Sequence, residues 1–151
     1  MGMLDSELVF SAAQSTAAFN VGDNASSNTY DTGSAYNNAQ DAEAAQTNEN
    51  LWVNIMCNTL FAGATATVAG VLQSSPDDAT WTDVTAGPAI LATGVTVGQA
   101  LLQVQPAIGT QRYWRTIIRV AVANLSAGAI DSYISNTLQH NIQRPAGFTV
   151  A

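Results

Sequence analysis

The feature that most constrains this chain is a two-residue hydrophobic period running through its middle and C-terminal parts. Leu51, Val53, Ile55, Cys57 and Phe61 fall on one side of the alternation, with Asn54 and Asn58 on the other. Only a strand turns successive side chains to opposite faces, so this pattern predicts half-buried β-structure. Ala66, Val68 and Leu72 alternate with Thr65, Thr67 and Gln73 in the same way. The strongest segment is 112–123. There Trp114, Ile118, Val120 and Val122 point one way, and Tyr113, Arg115, Ile117, Arg119 and Ala121 the other. Ile130, Ile134 and Leu138 alternate with Asp131, Tyr133 and Ser135, which predicts a hairpin around a five-residue loop at 124–128.

Turn signals separate these runs. In Ser74-Ser75-Pro76-Asp77-Asp78 the proline fixes φ and the Asx side chains cap local amides. Residues 81–84 begin a returning strand that Gly87-Pro88 breaks, and 95–97 and 101–104 predict two short strands split by Gly98. Many short strands without an amphipathic helix predict an all-β domain, a sandwich or a barrel of antiparallel strands. We read residues 1–151 as one domain. Residues 1–10 form an N-terminal arm or edge strand, 11–50 a long polar loop region, 51–139 the core strands, and 140–151 a C-terminal arm. A structureless stretch as long as 11–50 is unusual in a compact domain, so it either hides short strands or is ordered by a partner. Its alanine-rich part, 40–46, predicts one or two helical turns.

A chain of 151 residues can bury roughly two-thirds of its unfolded surface, so no disulfide or metal staple is required. Only 10% of residues are charged, against about 25% in an ordinary soluble domain. The surface must therefore be covered by small and neutral polar residues, with little charge repulsion to keep neighbours away. That suits a protein that ends in an assembly. The net charge is −7, and all four basic residues are arginines: Arg112, Arg115, Arg119 and Arg144. Nucleic-acid binding needs a broad basic face, and anionic membranes disfavour such a chain, so neither is an expected partner. No apolar run is long enough to span a bilayer, and Asp5 and Glu7 with no basic stretch argue against a signal peptide.

The pattern offers no catalytic constellation, cofactor motif or metal-ligand spacing, so we expect a non-enzymatic protein with no cofactor. The single histidine, His140, has no accompanying nucleophile elbow. The single cysteine, Cys57, sits on the apolar face of its strand and reads as a small hydrophobe. Asp77 and Asp78 read as turn residues, and Asp31-Thr32-Gly33 falls short of a calcium loop. Arg115 and Arg119 share one strand face with Tyr113 and Ile117. They either pair with acidic residues across the sheet or form an interface, where Arg and Tyr are enriched.

The opening Met3-Leu4-Asp5-Ser6-Glu7-Leu8-Val9-Phe10-Ser11-Ala12-Ala13-Gln14 resembles that of capsid cement proteins of tailed phages, the type first described from short-tailed Bordetella phages. The segment Leu72-Gln73-Ser74-Ser75-Pro76-Asp77-Asp78-Ala79-Thr80-Trp81-Thr82-Asp83 and the strand Arg112-Tyr113-Trp114-Arg115 are similar to that group too, in the same order. The resemblance implies a jelly-roll-like β-sandwich with extended terminal arms. It implies a structural virion protein, made in the host cytoplasm, that binds the outer capsid surface and bridges neighbouring major capsid proteins. It also implies self-association, as a homodimer at two-fold positions or else a trimer. Candidate capsid or subunit contacts are Leu4, Leu8, Phe10, Tyr113, Arg115, Ile117, Arg119, Phe148 and Val150. One alternative is a carbohydrate-binding jelly-roll adhesin stacking sugars on Trp52, Trp81 or Tyr113. Another is a head–tail or tail structural protein.

Overall fold

The computed structural model describes residues 8–31, 52–106 and 111–135. Ten strands follow one another: β1 (Val9–Ser15), β2 (Gly22–Ala25), β3 (Tyr30–Asp31), β4 (Trp52–Ala62), β5 (Thr67–Ser75), β6 (Thr82–Ala86), β7 (Ile90–Leu91), β8 (Ala100–Val104), β9 (Tyr113–Ala121) and β10 (Ala127–Ser135). They form two antiparallel sheets. One has the order β1-β10-β4-β8. The other has the order β2-β9-β5-β6, with β3 also on β9 and β7 also on β5.

β2 and β3 meet the same neighbour, as do β6 and β7, so each pair is one strand position interrupted by a bend. Counted this way there are eight positions, and they pair from the outside inward: β1 with β10, β2/β3 with β9, β4 with β8, β5 with β6/β7. One long antiparallel hairpin has thus been folded over on itself, which is the jelly-roll arrangement of two Greek keys. The fold is a β-sandwich.

The interior follows from the alternation. Val53, Ile55, Cys57, Ile130 and Ile134 from the four-stranded sheet meet Val68, Leu72, Trp114, Ile118 and Val120 from the six-stranded one. Each such aliphatic side chain contributes about 1.5–3 kcal/mol by leaving water. The sheets approach closely at Gly70, where an added Cβ would stand 3.0 Å from Ile55 Cδ1 and 3.1 Å from Leu102 Cβ. A polar contact spans the interior: Thr116 Oγ1 of β9 donates to Ser132 Oγ of β10 at 2.8 Å. Both hydroxyls are buried and partnered, so neither carries an unpaired desolvation cost.

Several expectations change. Segments 112–123 and 130–138 are not a hairpin: β9 and β10 lie in different sheets. The connection between them does not stay at the surface, because Leu125 is buried and its N–H donates to Phe19 O. At Gly128, φ is +124° and an added Cβ would run into Phe61 and Thr16, so only glycine fits where the chain crosses to the second sheet. Residues 95–97 are not a strand. A single 3₁₀ turn at Ala92–Gly94 precedes them, and Val95 is buried beside it. Within 11–50, the described part to Asp31 holds most of β1 and all of β2 and β3. The 40–46 helical turn lies outside the described residues.

The registers sort the connections to two ends of the sandwich. Val9 pairs with Tyr133, Trp52 with Ser135, Val53 with Val104, and Tyr113 with both Asp31 and Ser75. The first described strand therefore begins, and the last ends, at this one end, where the sequence also enters and leaves 32–51 and 107–110. We call it the terminal end. The connections 16–21, 63–66 and 122–126 lie at the other, the loop end, where the turn at Ala92–Gly94 also follows β7 and the Ala92 N–H donates to Ala66 O.

Candidate interaction surface

The outward face of the six-stranded sheet carries Arg115, Ile117 and Arg119 on β9, facing Gln73, Val71 and Ala69 on β5. Asp23 lies opposite Arg119 on β2, and Asp83 opposite Gln73 on β6. Arg119 holds both carboxylates. Its Nε donates to Asp23 Oδ1 at 2.6 Å and its Nη2 to Asp23 Oδ2 at 3.0 Å. Its Nη1 reaches Asp83 Oδ2 at 2.9 Å. A β9 side chain that bonds a β6 carboxylate must cross β5, and an arginine stem laid that way shields apolar surface. Val71 and Ile117, beside this crossing, are both buried.

The network continues through an amide. Gln73 Nε2 donates to Asp83 Oδ1 at 2.8 Å, and Gln73 Oε1 accepts from Arg115 Nε at 2.9 Å. The Arg115 guanidinium then lies over the Trp81 ring, 4.3 Å from its centroid. The hydrogen bonds from Arg119 hold the Asp83 carboxyl below its ordinary range, against an opposing effect of burial and with help from Gln73. Hydrogen bonds to Asp23 and Asp83 strengthen the hold of Arg119 on its proton. Arg115 is pushed the other way by partial burial, with Asp23 and Asp78 opposing. The three ion-paired side chains remain about 40% exposed (40%, 39% and 42%), so each pair contributes little, about 0.2–1 kcal/mol, as exposed pairs do.

At the terminal end, Arg112 grips Asp31 through two parallel hydrogen bonds of 2.7 Å, Nε to Oδ1 and Nη2 to Oδ2. Its guanidinium also lies 4.8 Å from the centroid of the Tyr113 ring. Beneath, Trp114 Nε1 donates to Gln111 O at 2.7 Å and its ring meets Tyr30, tilted by 52°. In the 76–81 turn, Asp77 accepts from the Thr80 N–H at 2.8 Å, the Ala79 N–H at 3.0 Å and the Ser75 hydroxyl at 2.9 Å. These bonds, Thr80 first, lower its carboxyl to about 2. Asp77 is thus a turn-capping residue. Cys57 is buried, and that burial pushes its thiol up.

The predicted contact residues divide sharply. Arg115 and Arg119 share the outer face as expected, but each already has partners within the chain. Tyr113 is half-buried at the start of the same strand. Ile117, expected to offer apolar area, is only 1% exposed and offers none. Phe10, a candidate contact in a segment read as an arm or an edge strand, is likewise 1% exposed and belongs to the core, because β1 begins at Val9 as an edge strand beside β10 and turns Phe10 inward. Leu8 packs partly buried against that core. Leu4, Phe148 and Val150 lie outside the described residues. Val122, assigned to the inner face, lies past the end of β9, is 74% exposed and has φ +72°. The scarcity of cations beside plentiful acids is one sign of the Asp23–Arg119–Asp83 cluster, but no spacing names the pairs.

Taken together these features define a jelly-roll β-sandwich whose described arginines are all engaged by groups of the same chain. The chain belongs to the Bbp16 family, whose sequence model matches residues 10–134. That family takes its name from a Bordetella phage protein, and membership is consistent with a phage structural protein. No curated protein sequence matches the chain.

Proposed function

We propose that this protein is a capsid decoration protein, which binds the outside of a phage head and bridges neighbouring major capsid proteins. The observation that carries the reading is the gathering of the strand starts and ends at the terminal end. Val9, Asp31, Trp52 and Ser135 are all there, so residues 1–7, 32–51 and 136–151 adjoin a single end of a compact body. Segments that adjoin one end can engage one partner surface together. Several modest contacts per subunit, repeated over many copies, then resist outward pressure across capsomer seams. Family membership supports a virion role.

The adhesin alternative is weaker at two of its three proposed platforms, because Trp81 already carries Arg115 over its ring and Tyr113 carries Arg112. The test is deletion of residues 1–7, which stops short of the first strand and of Phe10. We expect a folded protein that binds mature capsids lacking the wild-type chain more weakly. Undiminished binding overturns the role of the N-terminal segment. Quantifying the chain in purified virions tests the wider reading: abundance comparable to the major capsid protein supports it, and a few copies per particle indicates a tail or head–tail part.

A further inference from the structure

A sheet edge ordinarily offers unpaired amides and carbonyls, but the outer edge of β1 is not left open. Between Ala25 and Tyr30 the chain advances five residues while β9 opposite advances three, from Ile117 to Trp114. The two surplus residues let the connection 26–29 leave β9 and reach across to the other sheet. There the Asn28 N–H donates to Phe10 O at 2.9 Å and Asn28 Nδ2 to Val9 O at 3.2 Å. The Ser27 N–H reaches Ser11 Oγ at 3.4 Å, and Gln14 Nε2 donates back to Ala25 O at 3.0 Å. At the root of the connection the Ser26 N–H donates to Thr116 O of β9 at 2.8 Å. Segment 25–28 thus ties the edge of the four-stranded sheet to a strand inside the six-stranded one.

These bonds fall where the other neighbour of β1 holds it least. The β1–β10 register shifts between Val9 and Ser11 and again between Ser11 and Gln14. Inside the second shift Ala13 has φ +46°, and its N–H donates to the Asp131 carboxylate at 2.6 Å instead of to a backbone carbonyl. Val9 and Ser135 both lie at the terminal end. Tension between the chain ahead of Val9 and the chain beyond Ser135 therefore opens the β1–β10 pair one bond at a time, starting at Val9. The contacts of segment 25–28 with Val9, Phe10 and Ser11 sit on the first residues to be peeled. We propose that segment 25–28 is a strap that fastens β1 at this point, so that a pull on the chain ahead of Val9 passes to β9 and does not peel β1 away. Strap and β10 hold opposite edges of β1, so both sets of bonds must give way at the same step. The strap rests on this geometry alone, whereas its use in holding a stressed shell rests on the capsid reading.

Hydrogen exchange of the full chain, resolved over 9–15 and measured at several low urea concentrations, tests the strap. Asn28→Asp keeps the shape of the side chain and turns its donor into a charged acceptor facing Val9 O. The amides of β1 should then exchange about tenfold faster, since the closed state loses a bond and gains a repulsion. Asn28→Ala removes the side-chain bond and keeps the backbone one, so its gain should be about threefold. In both variants β1 should exchange with a shallower urea dependence than β9, because peeling one edge strand exposes little surface. Unchanged exchange in β1 overturns the proposal. So does a β1 that follows β9 at every urea concentration, for Asn28 is then an ordinary contact of the whole fold. Heads lacking the protein, decorated to equal occupancy with wild type or Asn28→Asp, test the load. Heat should rupture the variant's heads at the lower temperature, and equal rupture overturns the load-bearing role. A wild type that binds no head overturns the capsid reading and leaves the exchange result to decide the strap.

Discussion

The two faces of β9 hold their neighbours by different means. Inward, Trp114, Thr116, Ile118 and Val120 are all buried, and their contribution comes from leaving water and packing against the opposite sheet. Outward, Arg115 and Arg119 stay partly exposed and join β2, β5 and β6 through charges and one amide. The comparison teaches that the prominent contacts of this molecule are not its strong ones. Four well-formed hydrogen bonds on Arg119 in water are worth less than one tryptophan in the core.

The largest effect should come from the inner face. Trp114→Ala removes a fully buried ring and leaves a cavity, which costs about 3–5 kcal/mol. Chemical denaturation should show that loss at every salt concentration, and a loss below about 1 kcal/mol would break the comparison. An intermediate effect belongs to the inter-sheet hydroxyl pair. Thr116→Val strands the Ser132 hydroxyl in the interior and should cost about 1–3 kcal/mol. Adding Ser132→Ala should recover part of that loss, and strict additivity would mean the hydroxyls are not coupled.

The smallest effect belongs to the outer face. Arg119→Met keeps the stem and removes the charge. It should cost roughly 1 kcal/mol or less at low salt, and less still at high salt. Acid sharpens the same point. Asp83 and Asp77 are both held below their ordinary values, Asp77 at about 2 instead of 3.8. Carboxyls depressed in the folded state add stability that is complete above the unfolded value. It is lost as pH falls from about 4 toward 2. Thermal melts of wild type over that window should therefore decline, and Arg119→Met should decline less steeply because Asp83 has lost its main partner. Equal slopes would mean that Arg119 does not set the Asp83 carboxyl.

Most strands were legible because their alternation is a local property. The inward sets on β4, β5, β9 and β10 follow from it directly. The hairpin at 124–128 was misread because a five-residue turn between two alternating runs looks the same whether the runs pair or part. Only the burial of Leu125 and the crowding at Gly128 by Phe61, which is far away in sequence, separate the two cases. Ile117 was misread for a related reason. Alternation assigns a face, but burial on that face depends on what crosses it, and here the Arg119 side chain reaches from β9 to β6. Phe10 was misread as a contact at a boundary: residues 1–10 read equally as an arm or an edge strand, and only the pairing of β1 with β10, far away in sequence, turns Phe10 into the core.

By itself the sequence determined an all-β chain, the inner face of each main strand, and a surface poor in cations. These follow from side-chain period and composition, which need no knowledge of distant contacts. The tertiary structure decided which strands are neighbours, which acids neutralise Arg112 and Arg119, and which connections share an end. Those are matters of register between segments up to about a hundred residues apart, and loop closure over such lengths costs nearly the same for many rival pairings. Only the packing of the two sheets selects among them.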